Sequence, residues 1–164
     1  MKSIALIGMA GCGKSTLGKT AALELDLSFV DTDKLIEKEY SASLEKIKKS
    51  KGYKFIRKAE ERAILQLNPN INIIATGGSA VYSNKSIKHL SKFAKIIYIE
   101  APLEIIIERI NQEDERGLAV PDGMSIPEIY IERKPLYEKY SEIILDGSKS
   151  IPSLIADISD IIHE

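Results

Sequence analysis

Short apolar runs alternate along this chain with longer stretches in which apolar residues recur every three or four positions. Runs of four to eight apolar residues predict buried strands, and the three-to-four spacing predicts helices with one buried face. Lys2–Ile7 reads as the first strand. Lys14–Asp26 follows as a helix with Leu17, Ala21 and Leu25 on one face. Ser28–Asp31 is the second strand. Asp33–Tyr40 and Leu44–Lys51 are short helices. Gly52 breaks the pattern, and a longer helix then runs to about Leu67, stopped by Asn68-Pro69. Asn72–Thr76 is the third strand, Lys85–Phe93 a helix, and Lys95–Ile99 the fourth strand. Pro102 opens a helix with Leu103, Ile106, Ile107 and Ile110 on one face. From Asn111 to Pro127 the chain is polar and broken by Gly117, Pro121 and Gly123, which predicts a mobile loop. A helix resumes near Ser125 and ends near Tyr140, with Pro135 inside it expected to kink it. Glu142–Leu145 is the fifth strand, and a helix opening at Ser150-Ile151-Pro152 ends the pattern.

Strands alternating with helices predict an α/β protein whose parallel sheet is covered on both faces. Ligands in such folds gather at the carboxyl ends of the strands. Gly8, Asp31 and Thr76 all fall at predicted strand ends. A length of 164 residues suits one domain, 1–164, and a hydrophobic fraction of 44% is ample for its core.

Charge narrows the partners. With 23 basic and 24 acidic residues the net charge is −1, so no general attraction to nucleic acid or anionic membrane is expected. Lys46, Lys48, Lys49, Lys51 and Lys54 cluster locally and read as a solvated helical face. One cysteine, Cys12, allows no internal disulfide, and a reducing cytoplasm is the expected location. No apolar stretch approaches the ~20 residues that span a bilayer. The first apolar run leads directly into a functional motif, so it does not read as a cleavable signal.

That motif is Gly8-Met9-Ala10-Gly11-Cys12-Gly13-Lys14-Ser15, which fits G-x-x-x-x-G-K-[ST], the phosphate-binding P-loop. Its glycines let backbone N–H groups turn inward around phosphates, and the helix that follows points its N-terminus at the same anion. Lys14 is expected to reach the β- and γ-phosphates and Ser15 to ligate Mg²⁺, with ATP as the nucleotide. Gly11, Cys12, Gly13 and Thr16 complete the nucleotide contacts. Cys12 reads as a small filler residue, because phosphoryl transfer needs no thiol nucleophile.

Asp31-Thr32-Asp33 places two carboxylates at the end of the second strand, beside the P-loop. One suits Mg²⁺ through water, and the other suits an acceptor hydroxyl. Helix capping is the competing account for Asp31 or Thr32. Arg57 and Glu60 share a helix face. They read either as an exposed ion pair or as a guanidinium fixed by Glu60 for a bidentate carboxylate contact. Thr76-Gly77-Gly78-Ser79 lets backbone approach a ligand, or else makes only a tight turn. Arg133, alone, reads as a surface charge. His89 and His163 are lone histidines expected at the surface. The seven tyrosines show no base-stacking arrangement and are assigned no function.

Together these pieces resemble shikimate kinase over nearly the whole chain. The resemblance is carried by Gly8–Ser15 with Gly18, Asp31-x-Asp33, Arg57-x-x-Glu60, Ala75-Thr76-Gly77-Gly78, Arg109, Arg116 and Arg133-x-Pro135-x-Tyr137. It implies a three-layer P-loop kinase fold with five parallel strands in the order 2-3-1-4-5. It also implies transfer of the ATP γ-phosphate to the 3-hydroxyl of shikimate, in aromatic amino acid biosynthesis, by a monomer. Asp33 would be the base and hold the acceptor hydroxyls. Arg57 and Arg133 would clamp its carboxylate, and the Gly77-Gly78-Ser79 turn would contact its ring. Asp31 would support Mg²⁺ through water, and Arg109 would stack on adenine. Arg116 would act from a lid, about 111–127, over the phosphates, with the acceptor-binding helices at about 33–67.

The chain departs from that family at four places. Ser79 replaces the third of three glycines, Ile56 replaces a Phe, Tyr53 replaces a Glu, and Gly117 replaces the Pro of an Arg-Pro-Leu lid. Most of these are expected to touch the acceptor pocket or the lid, not the nucleotide site. They keep open a kinase of the same fold acting on another small carboxylated hydroxy compound. A nucleotide-binding regulator without turnover is a rival of another class, and intact Lys14, Ser15, Asp31 and Asp33 argue against it.

Overall fold

The computed structural model describes residues 2–111 and 117–164. Five strands, β1 (Ser3–Ile7), β2 (Phe29–Asp31), β3 (Ile73–Ala75), β4 (Ala94–Glu100) and β5 (Ile143–Asp146), form one sheet in the order β2-β3-β1-β4-β5. Every neighbouring pair is parallel. The connection from β1 leads to one side of the sheet, and the connection from β3 to β4 crosses to the other. The carboxyl end of β1 is therefore where ligand crevices open in such sheets.

The helices are α1 (Lys14–Glu24), α2 (Thr32–Tyr40), α3 (Leu44–Lys51), α4 (Tyr53–Leu65), α5 (Asn84–Leu90), α6 (Leu103–Asn111), α7 (Ile126–Tyr140) and α8 (Ile151–His163). Register fixes the layers. Leu6 lies level with Ala75 and Ile97, and Ile7 lies level with Tyr98. Successive residues of a strand point to opposite faces. Gly18 of α1 lies close against Leu6 and Ile73, whereas Tyr137 of α7 stacks on Tyr98 with ring centroids 5.2 Å apart. So α1, with α8 packed on it, covers one face, and α7 covers the other. Gly18 has to be glycine, because a Cβ there would come within 2.7 Å of the Phe29 ring.

Helix starts follow their capping residues. Ser43, Ser83, Ser125 and Ser150 each accept an N–H from the first turn of α3, α5, α7 and α8. Pro135 does not end α7. The carbonyl it deprives of a partner belongs to Ile131, which is 71% exposed and on the solvated side. A 3-10 turn at Ala80–Tyr82, which the periodicity does not predict, joins the Gly77-Gly78-Ser79 turn to α5. Beside the main core, a smaller one gathers Ile36, Ile47, Ile56, Ala59, Ala63 and Ala119 under α2, α3 and α4.

Candidate active site

Unlike those serine-capped helices, α1 has no side-chain cap. Its N-cap is Gly13, in the left-handed conformation with φ 98°. The first amides of α1 are thus left to an external anion. Gly11 is also left-handed, with φ 81°. A Cβ on Gly8 would sit 2.8 Å from the Ile99 carbonyl oxygen, so the loop's entry tolerates no side chain. Lys14 is 6% exposed, and its Nζ donates to the carbonyls of Gly8 at 2.7 Å and Met9 at 3.0 Å. Arg109, from the end of α6, donates to the Gly11 carbonyl at 3.2 Å, bringing its guanidinium over the loop. Cys12 is buried, with its sulfur 3.7 Å from Lys14 Nζ.

These residues surround a cavity of about 630 Å³, walled by Gly11, Cys12, Gly13, Lys14, Ser15, Thr16 and Arg109. The turn between β5 and α8 closes its other side through Gly147, Ser150 and Ile151, which the sequence motifs do not mark. A second cavity, of about 300 Å³, is walled by Asp31, Lys34, Ile56, Ser79, Gly117, Ala119 and Arg133. Ala10, Ser15, Asp33 and Gly78 belong to both walls. A phosphate held in the P-loop cavity therefore faces the smaller one across Ser15 and Asp33.

Asp31 caps α2, accepting the amides of Asp33 at 2.9 Å and Lys34 at 3.4 Å. The capping account is thus correct for Asp31, and the cap orients Asp33 in the first turn. Thr32 is fully buried and donates its hydroxyl to Glu60 at 2.7 Å. Glu60, 2% exposed, also accepts the Gly77 amide at 2.9 Å. Its carboxyl thereby joins α4 to the ends of β2 and β3, a role that neither account of an Arg57 pair expects. Burial raises its pKa to about 8, aided by the nearby carboxylates of Asp33 and Asp31 and opposed by the bonds from Thr32 and Gly77. That shift favours the protonated carboxyl at neutral pH.

Arg133 is not a surface charge. It is 1% exposed, and its Nε has no hydrogen-bond partner among the described residues. Its Nη2 lies 3.5 Å from the Ala119 carbonyl oxygen, which also accepts Arg57 Nε at 2.9 Å. A buried guanidinium with an unused donor beside a cavity is built for an anion. Gly78 is needed here for space, since a Cβ would fall 2.7 Å from Arg133 Nη1. Its carbonyl accepts the Tyr137 hydroxyl at 2.7 Å, and burial pushes that phenol's pKa up, so it stays a donor. Arg57 and Gly77 are not in the cavity wall itself. Arg57 lies over the rings of Tyr53 and Tyr82, 5.0 and 3.9 Å from their centroids. Arg116, expected in the lid, lies outside the described residues.

Three of the four departures from the family pattern can be placed in the structure. Ser79 and Ile56 wall the smaller cavity. Gly117 packs so closely on the start of α3 that a Cβ would come within 2.3 Å of the Leu44 carbonyl carbon. The proline usual in the family could not stand there in this conformation.

A family model described as shikimate kinase matches residues 10–163. A shikimate kinase from Caldanaerobacter subterraneus subsp. tengcongensis is 36% identical over 160 residues, covering 96% of this chain and 93% of that protein. One from Persephonella marina is 32% identical over 159 residues, covering 96% and 97%. The solved structure of shikimate kinase from Acinetobacter baumannii in complex with shikimate shares the fold, with TM-score 0.85 over 99% of this chain and 93% of that one, at 24% identity.

Proposed function

This chain belongs to the shikimate kinase family of ATP-dependent phosphotransferases acting on an alcohol group of shikimate, and from that premise we propose how its own residues divide the work. The ATP phosphates lie in the P-loop cavity, against the free amides of α1 and Lys14. Gly11, Cys12, Gly13, Ser15 and Thr16 line the phosphates, and Arg109 covers the nucleotide. Shikimate occupies the smaller cavity, with its carboxylate toward Arg133 and Arg57 and its ring on the Gly77-Gly78-Ser79 turn. Asp33, in the wall common to both cavities, takes the proton of the 3-hydroxyl as the γ-phosphoryl is transferred. The observation that carries this reading is the buried Arg133 Nε, without a protein partner among the described residues, beside a cavity that meets the P-loop.

Ser15 and Asp31 are the residues that would hold Mg²⁺. Both wall the smaller cavity, and Asp31 is already engaged by two amides, which suits contact through water. Mg²⁺ uses one or two protein side chains and keeps several waters, so no larger ligand cluster is required. When bound, the ion neutralises charge on the phosphate oxygens. The protein's part is to orient the acceptor hydroxyl and the phosphate toward each other.

The same proposal makes residues 1–164 one catalytic domain, with acceptor-binding helices at about 33–67 and a lid at about 111–127. It places the chain in the cytoplasm as a monomer, with no nucleic-acid or membrane partner. A single, buried cysteine that can form no internal disulfide and the near-neutral charge support that placement. No helix among the described residues is long and apolar enough to cross a membrane. The test is ³¹P NMR of the product formed from MgATP and shikimate. A single phosphate ester coupled to the proton on C3 is expected, and an ester at another hydroxyl would refute the placement of Asp33.

A further inference from the structure

We propose that Tyr82 is a positioning and specificity-determining residue of the acceptor site, its ring serving as one platform for both Arg57 and Arg133. The proposal rests on the reading of those two arginines as the carboxylate clamp.

Two guanidinium groups brought to one anion site repel each other until the anion arrives. Something must hold them together beforehand if the clamp is to be preformed. The Tyr82 ring centroid lies 3.9 Å from Arg57 Cζ and 5.4 Å from Arg133 Cζ. The negative face of an aromatic ring attracts such cations without neutralising them. The arginines also share one acceptor, the Ala119 carbonyl oxygen. The Ala119 methyl is buried in the small core with Ile36, Ile47 and Ile56, which anchors that carbonyl. One ring and one carbonyl therefore set the spacing of the pair.

The ring is itself held on two sides. Tyr82 ends the 3-10 turn, its amide donating to the Ser79 carbonyl at 3.1 Å. Its hydroxyl donates to the carboxylate of Glu132, the residue before Arg133 on α7. Burial and then the Glu132 bond raise the phenol's pKa, which keeps the proton on that hydroxyl. Ser83 donates to Glu61 at 2.6 Å on α4, the helix that carries Arg57. The segment holding the ring thus bridges the two helices that supply the arginines. Tyr53 gives Arg57 a second ring at 5.0 Å, but Tyr82 lies over both cations.

A planar carboxylate needs both cations at fixed spacing, whereas a neutral carboxamide does not. Removing the ring should weaken shikimate binding and also narrow the preference for the acid. The experiment is steady-state kinetics on the full chain, with Tyr82→Leu and Tyr82→Phe, using shikimate, its carboxamide and MgATP. Tyr82→Leu removes the ring's attraction for both cations. It is expected to raise KM for shikimate about tenfold, and to narrow the acid-over-amide preference similarly. KM for ATP should stay within about twofold. Tyr82→Phe keeps the ring and should stay within about threefold of wild type in KM for shikimate. Equal rises in both KM values, or a Tyr82→Phe as impaired as Tyr82→Leu, would overturn the proposal.

A second measurement needs neither substrate nor variant. In wild type, the Arg57 side-chain proton resonances should be shifted upfield by the ring; ordinary shifts would overturn the platform. Shifted resonances in a protein inert toward shikimate would instead overturn the substrate reading and leave the platform standing.

Discussion

Arg57 Nε donates to the Ala119 carbonyl oxygen at 2.9 Å, tying the helix that carries the arginine to a segment that walls the smaller cavity. That bond uses the single Nε–H and leaves the terminal fork for another partner. A lysine has neither the Nε donor nor the planar fork. Arg57→Lys should raise KM for shikimate by about ten- to a hundredfold while KM for ATP changes less than about twofold. Steady-state kinetics varying each substrate in turn checks this, and equal changes in both constants would contradict the clamp.

Gly117 offers a test of the same tie from the loop side. A Cβ there would meet the Leu44 carbonyl carbon at 2.3 Å, backbone that cannot move like a side-chain tip. Gly117→Ala should push the segment off α3 and carry the Ala119 carbonyl away from both arginines. The expected outcome is a rise in KM for shikimate of about tenfold, with a loss of roughly 1–3 kcal/mol in stability. Kinetics and urea unfolding together check it; unchanged values in both would show that the contact is not made in solution.

Glu60 predicts a pH dependence. Its folded pKa, about 8, lies above the ordinary carboxyl value of 4.5. Below about pH 4.5 the group is protonated in both states. As pH rises toward 8 the unfolded chain ionises first, so the group's stabilising contribution is lost through that window, by at most about 1.4 kcal/mol per pH unit. Glu60→Gln keeps an oxygen for Thr32 and Gly77 but removes the titration. Its stability should fall less than that of wild type between pH 5 and pH 8 in urea unfolding. An identical slope in the two proteins would mean that Glu60 is ionised in the fold.

Lys14 is buried on the carbonyls of Gly8 and Met9, at the mouth of the phosphate cavity. Lys14→Ala removes the one ammonium of the loop. A drop in kcat of about a thousandfold or more is expected, since preorganised charge at the transferring group is a large part of such catalysis. Single-turnover assays would detect retained chemistry, which would refute the role.

The sheet and its helices were legible because buried strands and amphipathic helices leave different periods in the sequence. The P-loop was legible because its glycines and Lys14 are adjacent in the chain. The tie from Thr32 to Glu60 was not, because the partners are 28 residues apart and the spacing from Glu60 to Arg57 suggested a different one. The Ala119 carbonyl carries no side-chain signal at all. Arg133 looked like a surface charge because nothing in its neighbours announces burial beneath a distant turn. Tyr82 was one tyrosine among seven, and the 3-10 turn that aims it is too short to show a period. Residues joined across the fold by single polar contacts leave no pattern to read.

Recognition of shikimate by a preformed pair of arginines beside the P-loop is the central claim. The direct test is coupled ADP release with MgATP and shikimate, run beside quinate, gluconate and a blank without acceptor. Strong turnover on shikimate, with little on the others or the blank, is the predicted result, and it would make Ser79 and Gly117 tolerated features of this acceptor site. ATP binding with no turnover on shikimate, or equal turnover on gluconate, would contradict it and assign the cavity to another hydroxy acid.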